Sequence, residues 1–238
     1  MIDGPTLVIE ALASAVDVVE VYAEVDPATG WASGAGAAET IAAARAAGVL
    51  VQMVAAGSLA KVTSPVTPQS VAALATIPPP PTPAVLHGLV IVQVGVGDPG
   101  NAGTIVRVAE AAGASAVVSC ADAVDPWNPK CIRASAGSLF RVPMLESDTV
   151  ADCVALLRDA GMTMVAGDAA ATADYDRTDL RGDVAILLGN EAHGLIDGAD
   201  VAVDHVVRVP MHGEVESLNV AMTGAILAFE SARQRRGR

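Results

Sequence analysis

The chain has 238 residues, a formal net charge of −13, and 52% hydrophobic but only 3% aromatic residues. That length buries a substantial core in one or two domains. The acidic balance excludes nucleic-acid binding by bulk charge, because phosphate affinity comes from Lys and Arg. Three widely spaced cysteines, Cys120, Cys131 and Cys153, offer neither a disulfide framework nor metal-ligand spacing, and the four histidines do not cluster. An uncharged stretch from Val62 to Gly97 holds seven prolines. Its unbroken apolar part after Pro83 falls far short of the ~20 residues of a spanning helix. It reads as linker plus buried strand. No basic-then-apolar signal peptide opens the chain, so the expectation is a metal-free protein of a reduced cytoplasm, off the membrane.

In chain order, the pattern predicts a helix over Leu7–Ala15, a strand over Val18–Ala23, an alanine-rich helix over Glu39–Ala47, a strand over Val49–Met53 and a short helix over Gln69–Leu74. Residues 1–77 thus read as a small α/β domain. The run Ile77-Pro78-Pro79-Pro80-Pro81-Thr82-Pro83 follows. Four consecutive prolines continue neither a helix nor a central strand and favour a stiff, extended spacer, so 78–84 is the expected linker. From 85 to 238 strands alternate with helices. Strands are expected at Gly88–Val94, Ala116–Ser119, Leu139–Val142, Met162–Ala166, Val184–Leu188 and His205–Val209. Helices are expected at Asn101–Ala112, Lys130–Ser138, Val150–Ala160 and Ser217–Arg233. This alternation signals an α/β domain with a parallel sheet covered on both faces.

Four segments carry chemistry. Gly95-Val96-Gly97-Asp98-Pro99-Gly100 matches G-x-G-x-x-G between a strand and a helix, with Asp122 about twenty residues further on. Read so, Gly95, Gly97 and Gly100 would hold the pyrophosphate of an NAD(P)-type cofactor in an oxidoreductase. Asp98 and Pro99 count against that reading, since they put a carboxylate and a ring where open backbone N–H groups are needed. In the other reading the helix matters more than the glycines. Asn101 sits at its start and Arg107 nearly two turns in. Helical side chains lean toward the N-terminus, and Gly103 has no side chain to block the guanidinium from reaching toward Asn101 and the anion-binding helix start. Taken alone, Arg107 also reads as a surface arginine paired with Glu110.

Leu187-Leu188-Gly189-Asn190-Glu191-Ala192-His193-Gly194 is a turn after an apolar strand, and its glycines permit close backbone approach to a ligand. Glu191 either orients a partner arginine or asparagine or is a plain helix-start carboxylate; His193 reads as exposed turn filler. In Arg133-Ala134-Ser135-Ala136-Gly137-Ser138, Arg133 contacts phosphate or the small residues serve packing alone. In Arg208-Val209-Pro210-Met211-His212-Gly213-Glu214-Val215-Glu216-Ser217-Leu218-Asn219, a strand stops at a proline. Ser217 is the expected N-cap of the last helix. Asn219 is a further polar group that a plain cap does not require. The tail from Arg233 to Arg238 is either a basic patch or a loose end.

The Asp98–Arg107, Leu187–Leu195 and Arg208–Ala221 segments together resemble the three signature segments of the SpoU (TrmH-type) RNA 2′-O-ribose methyltransferases of the SPOUT superfamily. They occur in family order, over about residues 85–232. The N-terminal part resembles the ribosomal-protein-L30e-like RNA-recruiting domain of many members. Asp3-Gly4-Pro5 looks like its opening turn and Ser64-Pro65-Val66-Thr67-Pro68-Gln69-Ser70 like its closing segment, with Ser70 where glycine is common. Members usually begin further upstream with a basic stretch, so either the start of this chain is truncated or its RNA grip is unusual.

The resemblance implies a deep trefoil knot, a homodimer, and S-adenosyl-L-methionine held around Leu188, Gly189, Asn190, Val209, Met211 and Leu218. It implies that Arg107 leads the catalysis of methyl transfer to ribosomal or transfer RNA, with Asn101, Glu191, Ser217 and Asn219 positioning it and the ribose. Arg107, Arg133, Arg141 and Arg208 would supply local positive charge. A noncatalytic RNA-binding homologue is the other alternative, and the intact set of polar residues weighs against it.

Overall fold

The computed structural model describes residues 1–63, 69–189 and 203–237. Ser64–Pro68 of the expected closing segment, the residues from Asn190 through Glu191 and His193 to Leu195, and Arg238 lie outside them. The chain divides into two units, Met1–Pro79 and Pro80–Arg238, and the division falls within the proline run.

The first unit is built from β1 (Ile2–Asp3), α1 (Pro5–Leu12), β2 (Val18–Val25), α2 (Ala37–Ala46), β3 (Leu50–Ala55) and β4 (Val71–Ala75). Among the described residues these strands form one sheet in the order β1-β4-β2-β3. Strands β2 and β3 run parallel, and β4 runs antiparallel to both β1 and β2. The helix expected over Gln69–Leu74 is therefore a strand. Alanine favours helix, but Val71, Ala72 and Ala73 fill a buried slot between two strands that both need hydrogen-bond partners. Tertiary pairing overrides the intrinsic preference.

The second unit contains β5 (Leu89–Val94), α3 (Pro99–Ala112), β6 (Ala116–Cys120), α4 (Pro129–Ser135), β7 (Met144–Ser147), α5 (Val150–Asp159), β8 (Thr163–Gly167), β9 (Ala173–Asp174), β10 (Val184–Leu188), β11 (His205–Arg208) and α6 (Val220–Arg236). The described strands form one parallel sheet ordered β7-β6-β5-β10-β8-β11-β9. Both faces are covered, as a parallel sheet requires. Val90, Val92 and Val94 of β5 share a core with Cys153, Val154 and Leu157 of α5. The alternate residues face the other side, where α3 and α6 pack on β5. All three cysteines are free and buried, and burial pushes the Cys131 thiol up to about 12.

Sequence-encoded caps set most helix ends. Asp98 caps α3 ahead of Pro99, Asn128 caps α4 ahead of Pro129, and Thr149 caps α5. Helix α4 stops at Ser135, short of the expected Ser138, because Ala136 and Gly137 take left-handed φ values of 50° and 91°. The chain then makes a 3₁₀ turn over Ser138–Phe140 that buries Leu139 and Phe140. The strand expected over Leu139–Val142 thus begins later, at Met144. A short apolar run alone does not separate strand from buried turn.

The strand order disposes of the dinucleotide alternative. A doubly wound dinucleotide fold runs 3-2-1-4-5-6, which would place β8 beside β5. Here β10 lies between them. Within the glycine segment, the Asp98 carboxylate already accepts from Asn101 N at 2.8 Å, so it occupies one helix-start amide.

The last helix runs to Arg236 and is not a loose end. Gln234 Nε2 donates to Thr178 O (3.0 Å), its Oε1 accepts from Leu180 N (2.9 Å), and Ser231 Oγ donates to Leu180 O (2.7 Å). Arg233 pairs with Glu230 and holds that carboxyl below its ordinary range, while Arg235 Nη2 donates to Gly182 O.

Gly103 has a packing role. A Cβ there would lie 2.3 Å from Cys131 O, 2.7 Å from Ala134 Cβ and 2.9 Å from Ser135 N, so α4 fills the space that the sequence suggested for Arg107. Gly103→Ala is expected to destabilise the protein by about 1–3 kcal/mol through overpacking, despite alanine's better helix propensity. A lowered Tm in calorimetry checks this; an unchanged or raised Tm refutes the close helix crossing.

Candidate active site

In a parallel sheet all strand ends of one sense share an edge, and ligands sit in the crevice outside the carboxyl ends. At that edge a cleft opens between the ends of β8, β10 and β11 and the start of α6. Leu188 and Gly189 line it from β10, and Val209, Met211, Ser217 and Leu218 from the segment after β11. Gly167, Asp168 and Ala169 close it from β8, and Val220 and Thr223 from α6. The lining is mostly apolar. Backbone is exposed at Gly189, and polar groups come from Ser217, Thr223 and Asp168. Five of the six residues expected to hold the methyl donor therefore meet in one place; the sixth, Asn190, lies outside the described residues, as does Glu191. Among the described residues no group of three or more His, Cys, Asp or Glu is placed to hold a metal ion.

The last signature departs locally from expectation. Helix α6 starts at Val220 and its N-cap is Asn219, not Ser217. Asn219 Oδ1 accepts from Ala221 N (2.9 Å) and Met222 N (3.4 Å), while its Nδ2 donates to Asn101 Oδ1 at 2.9 Å. Asn101 is itself fixed by Asp98 at the start of α3. One amide thus caps α6 and ties the first signature to the third. Ser217 is released from capping and faces the cleft.

Arg107 is exposed on α3 and is not among the residues lining the cleft. Six residues at about 100° each put it roughly 120° around the helix from Asn101, on a different face. The alternative pairing of Arg107 with Glu110 does not form. Glu110 is bonded by Arg141, which holds its carboxyl below the usual range, and Arg107 has no ion-pair partner among the described residues. Arg208 is bonded to Asp174 at 2.9 Å. Arg141 and Arg208, two of the four arginines expected to offset the acidic charge, are therefore committed to carboxylates of the fold.

The sequence reading missed Asp168, Gly167 and Thr223. The available signal was position, because Gly167-Asp168 sits at the carboxyl end of a parallel strand. Close packing against α6 accompanies it: a Cβ at Gly167 would lie 3.3 Å from Leu227 Cδ1, and one at Gly224 only 2.7 Å from Leu188 Cδ1.

A parallel sheet with β10 set between β5 and β8, and a cleft at its carboxyl edge closed by the loop before the last helix, defines an α/β ligand-binding domain of one topology. Residues 88–229 match the model of the SpoU rRNA Methylase family, and the chain belongs to that family. It is 38% identical over 151 residues to the 23S rRNA (guanosine-2'-O-)-methyltransferase RlmB of Xanthomonas axonopodis pv. citri, covering 63% of this chain and 61% of that relative. The sequence match thus spans about three fifths of the relative's length. The whole fold is similar to the SpoU methyltransferase AviRb of Streptomyces viridochromogenes (TM-score 0.82, 26% identity, 99% of this chain and 89% of that one). It is also similar to an AdoMet-bound rRNA methyltransferase from Sinorhizobium meliloti (TM-score 0.79, 30% identity, 97% and 85%).

The double use of Asn219 generates a prediction. Asn219→Ala removes cap and bridge together and is expected to cost about 1–2 kcal/mol. Asn219→Ser keeps a capping oxygen but is too short for Asn101, and should recover about half of that loss. Denaturant unfolding of both variants measures it; equal losses would show that capping contributes nothing.

Proposed function

We propose that this protein is an S-adenosyl-L-methionine-dependent RNA ribose 2′-O-methyltransferase acting on ribosomal RNA. The observation that carries the reading is the convergence of Leu188, Gly189, Val209, Met211, Ser217 and Leu218 on one cleft, with the Asn219–Asn101 bond joining the remaining signature to its rim. The names of the relatives favour ribosomal over transfer RNA, and a relative with AdoMet bound supports the donor. The cleft suits that donor. It offers apolar walls for a flat base, open backbone at Gly189, and hydroxyls at Ser217 and Thr223 for hydrogen bonds.

When bound, the donor supplies a methyl group on a sulfonium, an activated electrophile whose departure leaves a neutral thioether. The ribose hydroxyl is a poor nucleophile while protonated, so the chain must align it and provide for its proton. A guanidinium is not deprotonated in proteins, and Arg107 is therefore assigned to grip the neighbouring phosphate and orient the hydroxyl, the proton leaving through that phosphate. Its lack of an ion-pair partner among the described residues suits this role. Asn101, Asn219, Ser217 and Glu191 position the ribose and the guanidinium.

Arg107 lies on a different face of α3 from Asn101, which favours an arrangement in which Arg107 of one copy serves the cleft of another. A homodimer also accounts for an apolar stripe along α6. Met222 and Phe229 are 58% and 44% exposed, and the half-buried Ala225 and Ile226 lie between them at helical spacing. The deep trefoil knot belongs to the same proposal; the insertion of β10 between β5 and β8 supports it. Residues 1–77 are assigned to substrate recruitment. Only Arg45 and Lys61 are basic there, against seven carboxylates, so the grip is not electrostatic. Trp31, 78% exposed beside a turn fixed by the Asp26 N–Trp31 O and Gly30 N–Asp26 O bonds, offers a stacking surface for an unpaired base. No described helix is long and apolar enough to cross a membrane.

Arg107→Ala is expected to abolish methyl transfer to ribosomal RNA purified from a deletion strain, and to leave donor affinity within about twofold of wild type, since its contacts are with the acceptor. Calorimetry and methyl-incorporation assays measure the two; full activity would remove Arg107 from the mechanism. Met222→Asp combined with Phe229→Asp should convert a dimeric gel-filtration mass to a monomeric one, and a wild-type monomer would end the two-copy assignment.

A further inference from the structure

Asp168 contributes the one charged side chain among the described residues that line the cleft. Its position is defined on both sides. Its backbone N–H donates to Val207 O at 2.9 Å, fixing it at the β8–β11 junction, and its Oδ1 accepts from Ala170 N at 2.8 Å. One carboxylate oxygen is held by the turn. The side chain is exposed, and no cation pairs with it among the described residues. Arg208, the arginine on the neighbouring strand, is bonded to Asp174 instead.

We infer that Asp168 is a specificity residue that makes the cleft favour the methyl donor over its demethylated product by charge. The inference rests on the methyltransferase reading above. S-adenosyl-L-methionine carries a sulfonium and an ammonium against one carboxylate, a net charge of about +1 at neutral pH; S-adenosyl-L-homocysteine has lost the sulfonium charge and is net neutral. On transfer, the methyl carbon–sulfur bond breaks, its electron pair stays on sulfur as the thioether, and a methyl–oxygen bond forms as the hydroxyl proton leaves. The two ligands differ by one methyl group and one unit of positive charge. A hydrogen bond to the shared ribose or amino-acid part cannot separate them, whereas a fixed carboxylate at the cleft can. Coulomb attraction acts across several ångströms near a protein surface, so Asp168 need not touch sulfur to act. The charge lost with the methyl group weakens the hold on the product and favours its exchange for fresh donor.

Calorimetric titration of the wild-type chain and of Asp168→Asn with each ligand tests this. Asparagine keeps the Oδ1 acceptor for Ala170 N, so the turn is retained. The expected result is a loss of about five- to tenfold in affinity for S-adenosyl-L-methionine, with S-adenosyl-L-homocysteine changed less than about twofold. A parallel loss for both ligands would place Asp168 on their shared part and overturn the charge discrimination. Unchanged affinity for both would remove Asp168 from the site altogether. If the wild-type chain bound neither ligand, the methyltransferase reading itself would fall, and that outcome is separate from a variant that merely loses the preference. As a second readout, added salt should narrow the donor-to-product preference more in the wild type than in Asp168→Asn; equal salt dependence in the two proteins would also overturn the inference.

Discussion

The position of β10 between β5 and β8 is the constraint on which the C-terminal unit depends. It brings Leu188 and Gly189 to the same edge as Gly167 and Val209 although the segments are distant in sequence. It also sets what α6 packs against. A Cβ at Gly224 would lie 2.7 Å from Leu188 Cδ1, so the glycine lets the last helix come down onto β10 without displacing that side chain. That close approach brings Asn219 within 2.9 Å of Asn101, across 118 residues of chain. Strand order, helix contact and polar bridge are successive consequences of one placement.

Small residues make these contacts possible, and this gives the composition a physical meaning. With 3% aromatic residues, the core cannot be built from large rings. It relies on close approach at glycines, of the α3 backbone to the α4 backbone at Gly103 and of α6 to the Leu188 side chain at Gly224. Interiors are packed to near-crystalline density, so such crossings tolerate little change in volume. The same economy shapes the electrostatics. Arg141, Arg208, Arg233 and Arg235 all bond within the fold, so in a chain of net charge −13 these four add no free cation near the signatures. Under the proposed function, RNA recognition rests on the placement of few groups, Arg107 foremost, and on contacts that need no charge.

Much of the architecture was legible because its signals are local. The Asp98-Pro99 and Asn128-Pro129 pairs announce helix starts, and apolar runs bounded by turns announce β5, β6, β8 and β10. Half of the cleft residues were legible too, since they cluster in two segments with distinctive glycine and polar spacing. The failures have one cause, the absence of tertiary partners from the sequence. Val71–Ala75 reads as helix by composition and is a strand because β1 and β2 flank it. Ser217 and Asn219 are both competent caps; Asn219 prevails because its other amide atom has Asn101 to bond. Gly103 invites a reading as space for Arg107, and only the fold shows α4 already there.

The sequence by itself determined most of the element types in the C-terminal unit, the family, and the identity of the polar groups available to a site, because each is encoded within a few neighbouring residues. Tertiary structure alone decided which of those groups meet. It brought Asp168 into the cleft, joined Asn219 to Asn101, and committed Arg141 and Arg208 to Glu110 and Asp174. The physical reason is that contacts between distant segments follow from strand order and helix packing, and neither is written in the periodicity of any one segment.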